Sequence, residues 1–252
     1  MAVINKQRVE RCFSSALSQY DQAASVQKAI VQQLMVLLRA TQRAEFDNVL
    51  EIGCGTGQLT RALAGNYSIK QWDINDLCDV REFIHPLLAS QNYRFHQSDA
   101  EHFNFPSQYD LIATASTVQW FENIKAFVQC CAQSLKSNGL LLLSTFSPEN
   151  LHEIKALTNI GLNYPSLNDW QQWLMHDFDI LHLEQQHLRL EFDTPQAVLR
   201  HLKQSGVTGI KRHIWTKAGL QAFCQNYVKN YRTLNGKVAL SYTPILLLAK
   251  RK

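Results

Sequence analysis

The sequence predicts an α/β fold, a doubly wound and mostly parallel sheet with an N-terminal helical lid and a lobe inserted before the final strand. Three observations predict it. Strand-sized apolar runs alternate with helical patterns between residues 48 and 146, the order that builds parallel sheets through helical crossovers. The first run, Val49, Leu50 and Ile52, ends in Gly53, Gly55 and Gly57, a turn that carries a buried strand into a helix close against a neighbour that a Cβ would strike. Beyond Pro148 the apolar runs are short, aromatic and interrupted until residues 241–250 return to a core-strand pattern, which marks an added lobe.

The elements follow in order. Amphipathic stretches near 6–18 and 25–39 supply two helices, so residues 1–40 form the lid. Strands are expected near 48–53, 69–73, 93–97, 109–115 and 139–146, with a helix over 122–136 closed by Asn138-Gly139 as a C-terminal stop. Residues 41–147 are the ligand-binding core, 148–236 the substrate-facing lobe and 237–252 the final core strand. Within the lobe, Trp170 and Trp173 share one helix and residues 178–192 read as a β-pair. With 252 residues, 46% of them hydrophobic, the chain can bury a substantial core as a single domain.

A nucleoside is the first reading of the glycine turn. A dinucleotide fingerprint has the form G-x-G-x-x-G, but here the glycines alternate around Cys54 and Thr56, and Glu51 lies inside the strand two residues before the first of them. Asp73 ends the next expected strand at about the 20-residue offset where a carboxylate accepts ribose hydroxyls; taken alone it reads equally as a loop residue or a helix cap. Asp99, followed by Ala100, exits the third strand, where a lone Asp is otherwise a turn former. The in-strand acid and alternating glycines resemble the motif of S-adenosylmethionine-dependent methyltransferases with a Rossmann-like fold. That resemblance implies S-adenosylmethionine as cofactor, held by Glu51, Gly53, Cys54, Gly55, Gly57 and Asp73, with Asp99 against the adenine amino group and Ala100 and Ala115 bordering the site.

Charge is unevenly distributed. Residues 194–252 contain eleven Lys and Arg and no Asp or Glu, whereas residues 1–193 hold 14 basic against 21 acidic side chains. Such asymmetry suggests an anionic partner near the C-terminal lobe; on charge alone, nucleic acid and an acidic carrier protein are both open. The six cysteines form no C-x-x-C pair and the nine histidines no H-x-x-x-H pair, so reduced, mostly buried thiols and no metal centre are expected. Residues 1–8 carry no apolar signal region and the longest apolar runs are strand-sized, so a cytoplasmic protein without a membrane span is expected.

After the fourth strand, enzymes that methylate amide or base nitrogens carry an Asn/Asp-Pro-Pro-Tyr/Phe segment; here the stretch is Ala113-Thr-Ala-Ser-Thr-Val-Gln-Trp120. Several segments resemble instead the malonyl-[acyl-carrier protein] O-methyltransferases: Phe13-Ser-Ser-Ala-Leu-Ser-Gln-Tyr-Asp21 with Gln27, Val118-Gln-Trp120, Phe146 to His152-Glu153, Leu199-Arg-His-Leu-Lys203 and Ser205-Gly-Val-Thr-Gly209. This resemblance implies methyl transfer to the free carboxylate of a malonyl thioester on an acidic acyl carrier protein, early in biotin synthesis, with no nucleic acid bound. A carboxylate with a reference pKa near ~4 is already a nucleophile at pH 7 and needs no base. It needs orientation, for which Arg200 is the candidate because a guanidinium grips a carboxylate bidentately; Arg8 and Arg11 are the next choices. Lys203 is a second substrate contact, Tyr20 closes the site from the lid, Trp120 walls the methyl pocket, and Lys211 and Arg212 dock the carrier. The alternatives are a methyltransferase of another small carboxylic acid or of RNA, and a scaffold that retains cofactor without turnover.

Overall fold

The computed structural model describes residues 4–207 and 215–252. Helices α1 (Lys6–Ala23) and α2 (Ser25–Ala40) precede β1 (Glu45–Ile52), α3 (Gln58–Ala64), β2 (Ser68–Asp76), α4 (Arg81–Leu88), β3 (Tyr93–Gln97), β4 (Tyr109–Ala115), α5 (Ile124–Ser134) and β5 (Leu135–Phe146). There follow α6 (His152–Thr158), α7 (Leu167–Leu174), β6 (Phe178–Gln185), β7 (Leu188–Phe192), α8 (Pro195–Gln204), α9 (Lys217–Tyr231), β8 (Val238–Tyr242) and β9 (Pro244–Arg251). The main sheet has the order β3-β2-β1-β4-β5-β9-β6. Its first five strands are mutually parallel, and β9 runs antiparallel between β5 and β6.

Both faces of this sheet are covered, and the period-two alternation of strands sorts the apolar residues between them. Val49, Leu140, Leu142, Leu246 and Leu248 join the core beneath α2, α3 and α4; Leu50, Leu141, Leu143, Ile245 and Leu247 join the core beneath α5 and α7. Each such Leu is buried, which contributes roughly 1.5–3 kcal/mol apiece. Strand order reverses between β1 and β4, so the carboxyl ends of these strands open the crevice in which such sheets bind ligands.

Four expectations are corrected. Residues 178–192 are not a β-pair: β6 joins the main sheet beside β9, and β7 pairs with β8 in a separate two-stranded sheet. Residues 237–252 are therefore two strands in two sheets rather than one core strand. Strand β2 runs three residues past Asp73, because Ile74 is buried in the core and pairs with both neighbouring strands. The helix expected to reach 136 ends at Ser134, and Asn138 takes the left-handed conformation within β5. Three cysteines are buried, Cys54, Cys78 and Cys131, and all six are free thiols. No helix among the described residues is long and apolar enough to cross a membrane.

Candidate active site

The glycine turn stands at the carboxyl end of β1. Gly53 and Gly55 have φ values of 68° and 53°, the left-handed region that side chains with a Cβ rarely enter. They need glycine for different reasons. A Cβ on Gly53 would lie 2.2 Å from Thr117 Oγ1, whereas one on Gly55 would meet nothing within 4 Å and would fill the open cleft. The Gly53 and Cys54 amides donate to the Asn75 carbonyl at 2.8 and 3.2 Å, tying the turn to the end of β2.

Four carboxylates surround this turn in different ways. Glu51 is 1% exposed and its Oε2 has no hydrogen-bond partner; burial, with Asp76 adding repulsion, pushes its carboxyl up to about 8. Asp76 lines the cleft and accepts the Gly55 amide at 2.8 Å and the Cys78 amide at 2.8 Å; burial nevertheless raises its pKa. Asp99 also lines the cleft, where its Oδ1 accepts from Lys6 Nζ at 3.1 Å and the Glu101 amide at 3.1 Å. Asp73 is 0% exposed and occupied elsewhere: Arg94 grips it through two bonds of 2.9 Å, with His96 at 2.8 Å and the Tyr109 hydroxyl at 2.9 Å. Burial pushes Asp73 up, but these partners win and hold its carboxyl below the usual range. The expectation that Asp73 meets the ligand is thus corrected. It braces β2 to β3 and β4, and the acid at the cleft is Asp76, three residues on. The missed signal is Ile74, whose apolar side chain carries the strand pattern beyond Asp73.

The lid is fastened to this site at both ends of α1. Lys6 bonds Asp99 and, at 2.6 Å, Glu101, while Asp21 Oδ1 accepts from Thr56 Oγ1 at 2.7 Å and Gln58 Nε2 at 2.8 Å. Between them Phe13 meets Trp120 edge-on at 5.5 Å between ring centres, and Gly206 after α8 lets the chain close on Phe13, since a Cβ there would stand 2.7 Å from the ring. The resulting cleft encloses about 110 Å³ and is lined by Tyr20, Ala100, Ala115 and Trp120 besides the turn. Cys54 and Glu51 border a smaller extension behind the glycines.

Two further spaces lie on the other side of Tyr20 and Trp120. A narrow inner chamber of about 20 Å³ is walled by Tyr20, Gln27, Gln119, Asn150, Tyr164 and Tyr242, among others. An outer cavity of about 580 Å³ follows, bordered by Arg8, Leu151, Leu199, Arg200, Lys203 and Trp215. Arg200 is exposed on α8 and lines that outer cavity but neither the cofactor cleft nor the inner chamber, so its assignment to the reacting carboxylate is corrected: α8 directs position 200 away from the methyl-transfer region. Lys203 lies with it and Arg11 is exposed. Lys211 and Arg212 lie outside the described residues. Lys250, Arg251 and Lys252 stand at the opposite end of the sheet, because β9 is antiparallel to β5, and the last two bond backbone carbonyls there. Glu153 of the His152-Glu153 segment is buried and accepts from Ser241 at 2.6 Å, a bond that ties α6 to β8.

Comparisons with known proteins agree with this fold. A methyltransferase domain model matches residues 50–143, from within β1 into β5. The malonyl-[acyl-carrier protein] O-methyltransferase of Haemophilus influenzae is 43% identical over 98% of this chain and 95% of its own length; that of Porphyromonas gingivalis is 41% identical over 98% and 96%. Among solved structures, the magnesium protoporphyrin IX methyltransferase of Synechocystis, with bound S-adenosylhomocysteine, superposes with a TM-score of 0.61 at 16% identity, covering 98% of this chain and 99% of that one, which shows the shared Rossmann-like methyltransferase fold. Near-full-length identity above 40% to two such enzymes establishes that the chain belongs to the malonyl-[acyl-carrier protein] O-methyltransferase family.

Proposed function

We propose that this protein methylates the free carboxylate of a malonyl thioester carried by an acidic acyl carrier protein in the cytoplasm, with S-adenosylmethionine as methyl donor. One observation carries the cofactor half of this reading. Gly55 leaves an open cradle that any Cβ would fill, and it lies between Asp76 and a buried Glu51 oxygen that lacks a partner, a donor-hungry set that fits a nucleoside bearing an amino acid cation. Asp76 takes the ribose hydroxyls, Asp99 and Ala100 the adenine edge, and Glu51, Gly53, Cys54 and Ala115 the amino acid end. Bound, the cofactor supplies a methyl group on a positively charged sulfur.

The residues of the chain need do little acid–base work. The acceptor is anionic at pH 7, so the site contributes by alignment, worth up to about 7–11 kcal/mol in well-oriented systems, and by excluding water. The lid serves both ends, through Lys6 at Asp99 and Asp21 at Thr56 and Gln58, with Tyr20 and Trp120 between the cofactor cleft and the acceptor side. The test is to incubate the protein with labelled S-adenosylmethionine and either malonyl- or acetyl-carrier protein. Base-labile label on the malonyl carrier alone is expected; label on both, or on neither, overturns the reading.

A further inference from the structure

The three spaces run in series. The inner chamber shares Phe13, Tyr20 and Trp120 with the cofactor cleft and Asn150, Leu151 and Tyr164 with the outer cavity. Their charge changes stepwise. The cleft carries Asp76 and Asp99, with Lys6 of the lid paired to Asp99 at 3.1 Å. Among the described residues the chamber wall carries no Asp, Glu, Lys, Arg or His; its polar groups are hydroxyls, amides and the indole N–H of Trp120, which has no hydrogen-bond partner. The outer cavity carries Arg8, Arg200 and Lys203 with no acid, against apolar walls such as Leu199 and Leu220, and none of these three cations makes an ion pair among the described residues.

The chamber is built to donate. The Tyr164 hydroxyl accepts from Asn150 Nδ2 at 3.1 Å, which leaves its own hydrogen to give. Asn150 is fixed in turn, because its Oδ1 accepts the Thr243 amide at 3.1 Å. Burial pushes the Tyr164 hydroxyl up to about 12, and burial also raises Tyr20, so both stay protonated donors through the neutral range. An uncharged donor orients a carboxylate without cancelling the charge that makes it reactive, whereas a guanidinium would pair with it and set a second cation beside the sulfonium.

Resting on the methyl transfer proposed above, we infer that the carrier's phosphopantetheine arm lies in the outer cavity, its phosphate diester against Arg8, Arg200 and Lys203, and that the malonyl carboxylate is held in the inner chamber by the hydroxyls of Tyr164 and Tyr20 rather than by a cation. The step balances without a proton. A carboxylate oxygen lone pair forms the O–CH3 bond, the S–CH3 electron pair stays on sulfur, and a methyl ester and an uncharged thioether result.

Steady-state kinetics on malonyl-carrier protein and on malonyl-N-acetylcysteamine, a thioester with no phosphate, test this. The double variant Arg200→Ala with Lys203→Ala is expected to raise KM at least tenfold for the carrier and less than threefold for the small thioester. Tyr164→Phe keeps the ring against Phe146 and is expected to lower kcat/KM by about 10–100-fold on both substrates, with S-adenosylhomocysteine affinity within twofold of wild type. Tyr164→Phe kinetics equal to wild type, or a hundredfold fall in turnover of the small thioester in the Arg200 and Lys203 variant, overturns the inference while leaving the reaction in place. Wild-type protein that turns over neither substrate overturns the reaction and the inference together.

Discussion

On the cofactor side of the glycine turn, Glu51, Asp76 and Asp99 border the cleft and its extension, whereas on the acceptor side the chamber wall offers tyrosine hydroxyls and amides, with cations only in the cavity beyond. Both regions are buried and both would bind polar groups, so burial alone does not explain the difference. The charge of the expected occupant does. A site for a sugar and a cationic amino acid gains from carboxylates, while a site for a reacting carboxylate gains from donors that leave its charge intact. Strand β2 repeats the contrast over three residues: Asp73 is saturated by Arg94, His96 and Tyr109, and Asp76 bonds the backbone of the turn and faces the cleft.

The largest expected effect breaks the cofactor side outright. Gly55→Val places a β-branched residue in the left-handed region, at a cost of about 1–2 kcal/mol, and projects its side chain into the cradle. Titration calorimetry with S-adenosylhomocysteine should show at least about 100-fold weaker binding, while circular dichroism shows a folded chain. Retained affinity would remove the cradle from the site.

The two β2 carboxylates should separate cleanly. Asp73→Ala strips Arg94, His96 and Tyr109 of a shared partner and should cost about 3 kcal/mol of stability, a fall in Tm of roughly 6–12 °C at this length, with cofactor affinity within threefold of wild type. Asp76→Ala should do the reverse, weakening S-adenosylhomocysteine by roughly 1–3 kcal/mol with a smaller change in Tm. An Asp73 variant that melts normally but loses cofactor would restore the ribose role to that residue.

A pH effect of intermediate size belongs to Glu51. Burial raises its folded pKa from the ordinary 4.5 to about 8, so the folded state binds more protons than the unfolded state between these values, and stability falls as pH rises through that window, at up to about 1.4 kcal/mol per unit. Chemical denaturation of the cofactor-free protein at pH 5, 6.5 and 8 should show this decline, and Glu51→Gln should flatten it. The smallest effect concerns the far end of the sheet. Lys252 donates to the Met175 carbonyl at 2.7 Å, remote from all three spaces, so Lys252→Ala should change KM for the carrier substrate less than twofold. A large rise would extend the docking surface to the whole basic segment.

What the sequence made legible was local. The apolar run into alternating glycines located β1, the turn and Glu51, and the strand–helix alternation gave the parallel half of the sheet. The end of β2 is not legible because Asp73, Asn75 and Asp76 have a loop composition, yet parallel pairing with β1 and β3 keeps the backbone extended through all three. Strand partners in the lobe were illegible for another reason. That β6 chooses β9 and β7 chooses β8 depends on partners distant in sequence, from Phe192 with Val238 to Phe178 with Arg251, which no short-range pattern records. The chamber is the extreme case, since Tyr20, Gln119, Tyr164 and Tyr242 come from four separate segments and meet only in the fold; Arg200 stands out in the sequence because it is charged, whereas no motif or local pattern marks Tyr164.

The most direct measurement is a crystal structure with S-adenosylhomocysteine and a non-hydrolysable amide analogue of malonyl-phosphopantetheine. Electron density should show the ribose on Asp76, the phosphate beside Arg200 and Lys203, and the malonyl carboxylate within hydrogen-bond reach of the Tyr164 hydroxyl with no guanidinium or ammonium inside about 4 Å. A carboxylate paired with an Arg or Lys side chain would contradict the division between a carboxylate-lined cofactor side and an uncharged acceptor chamber.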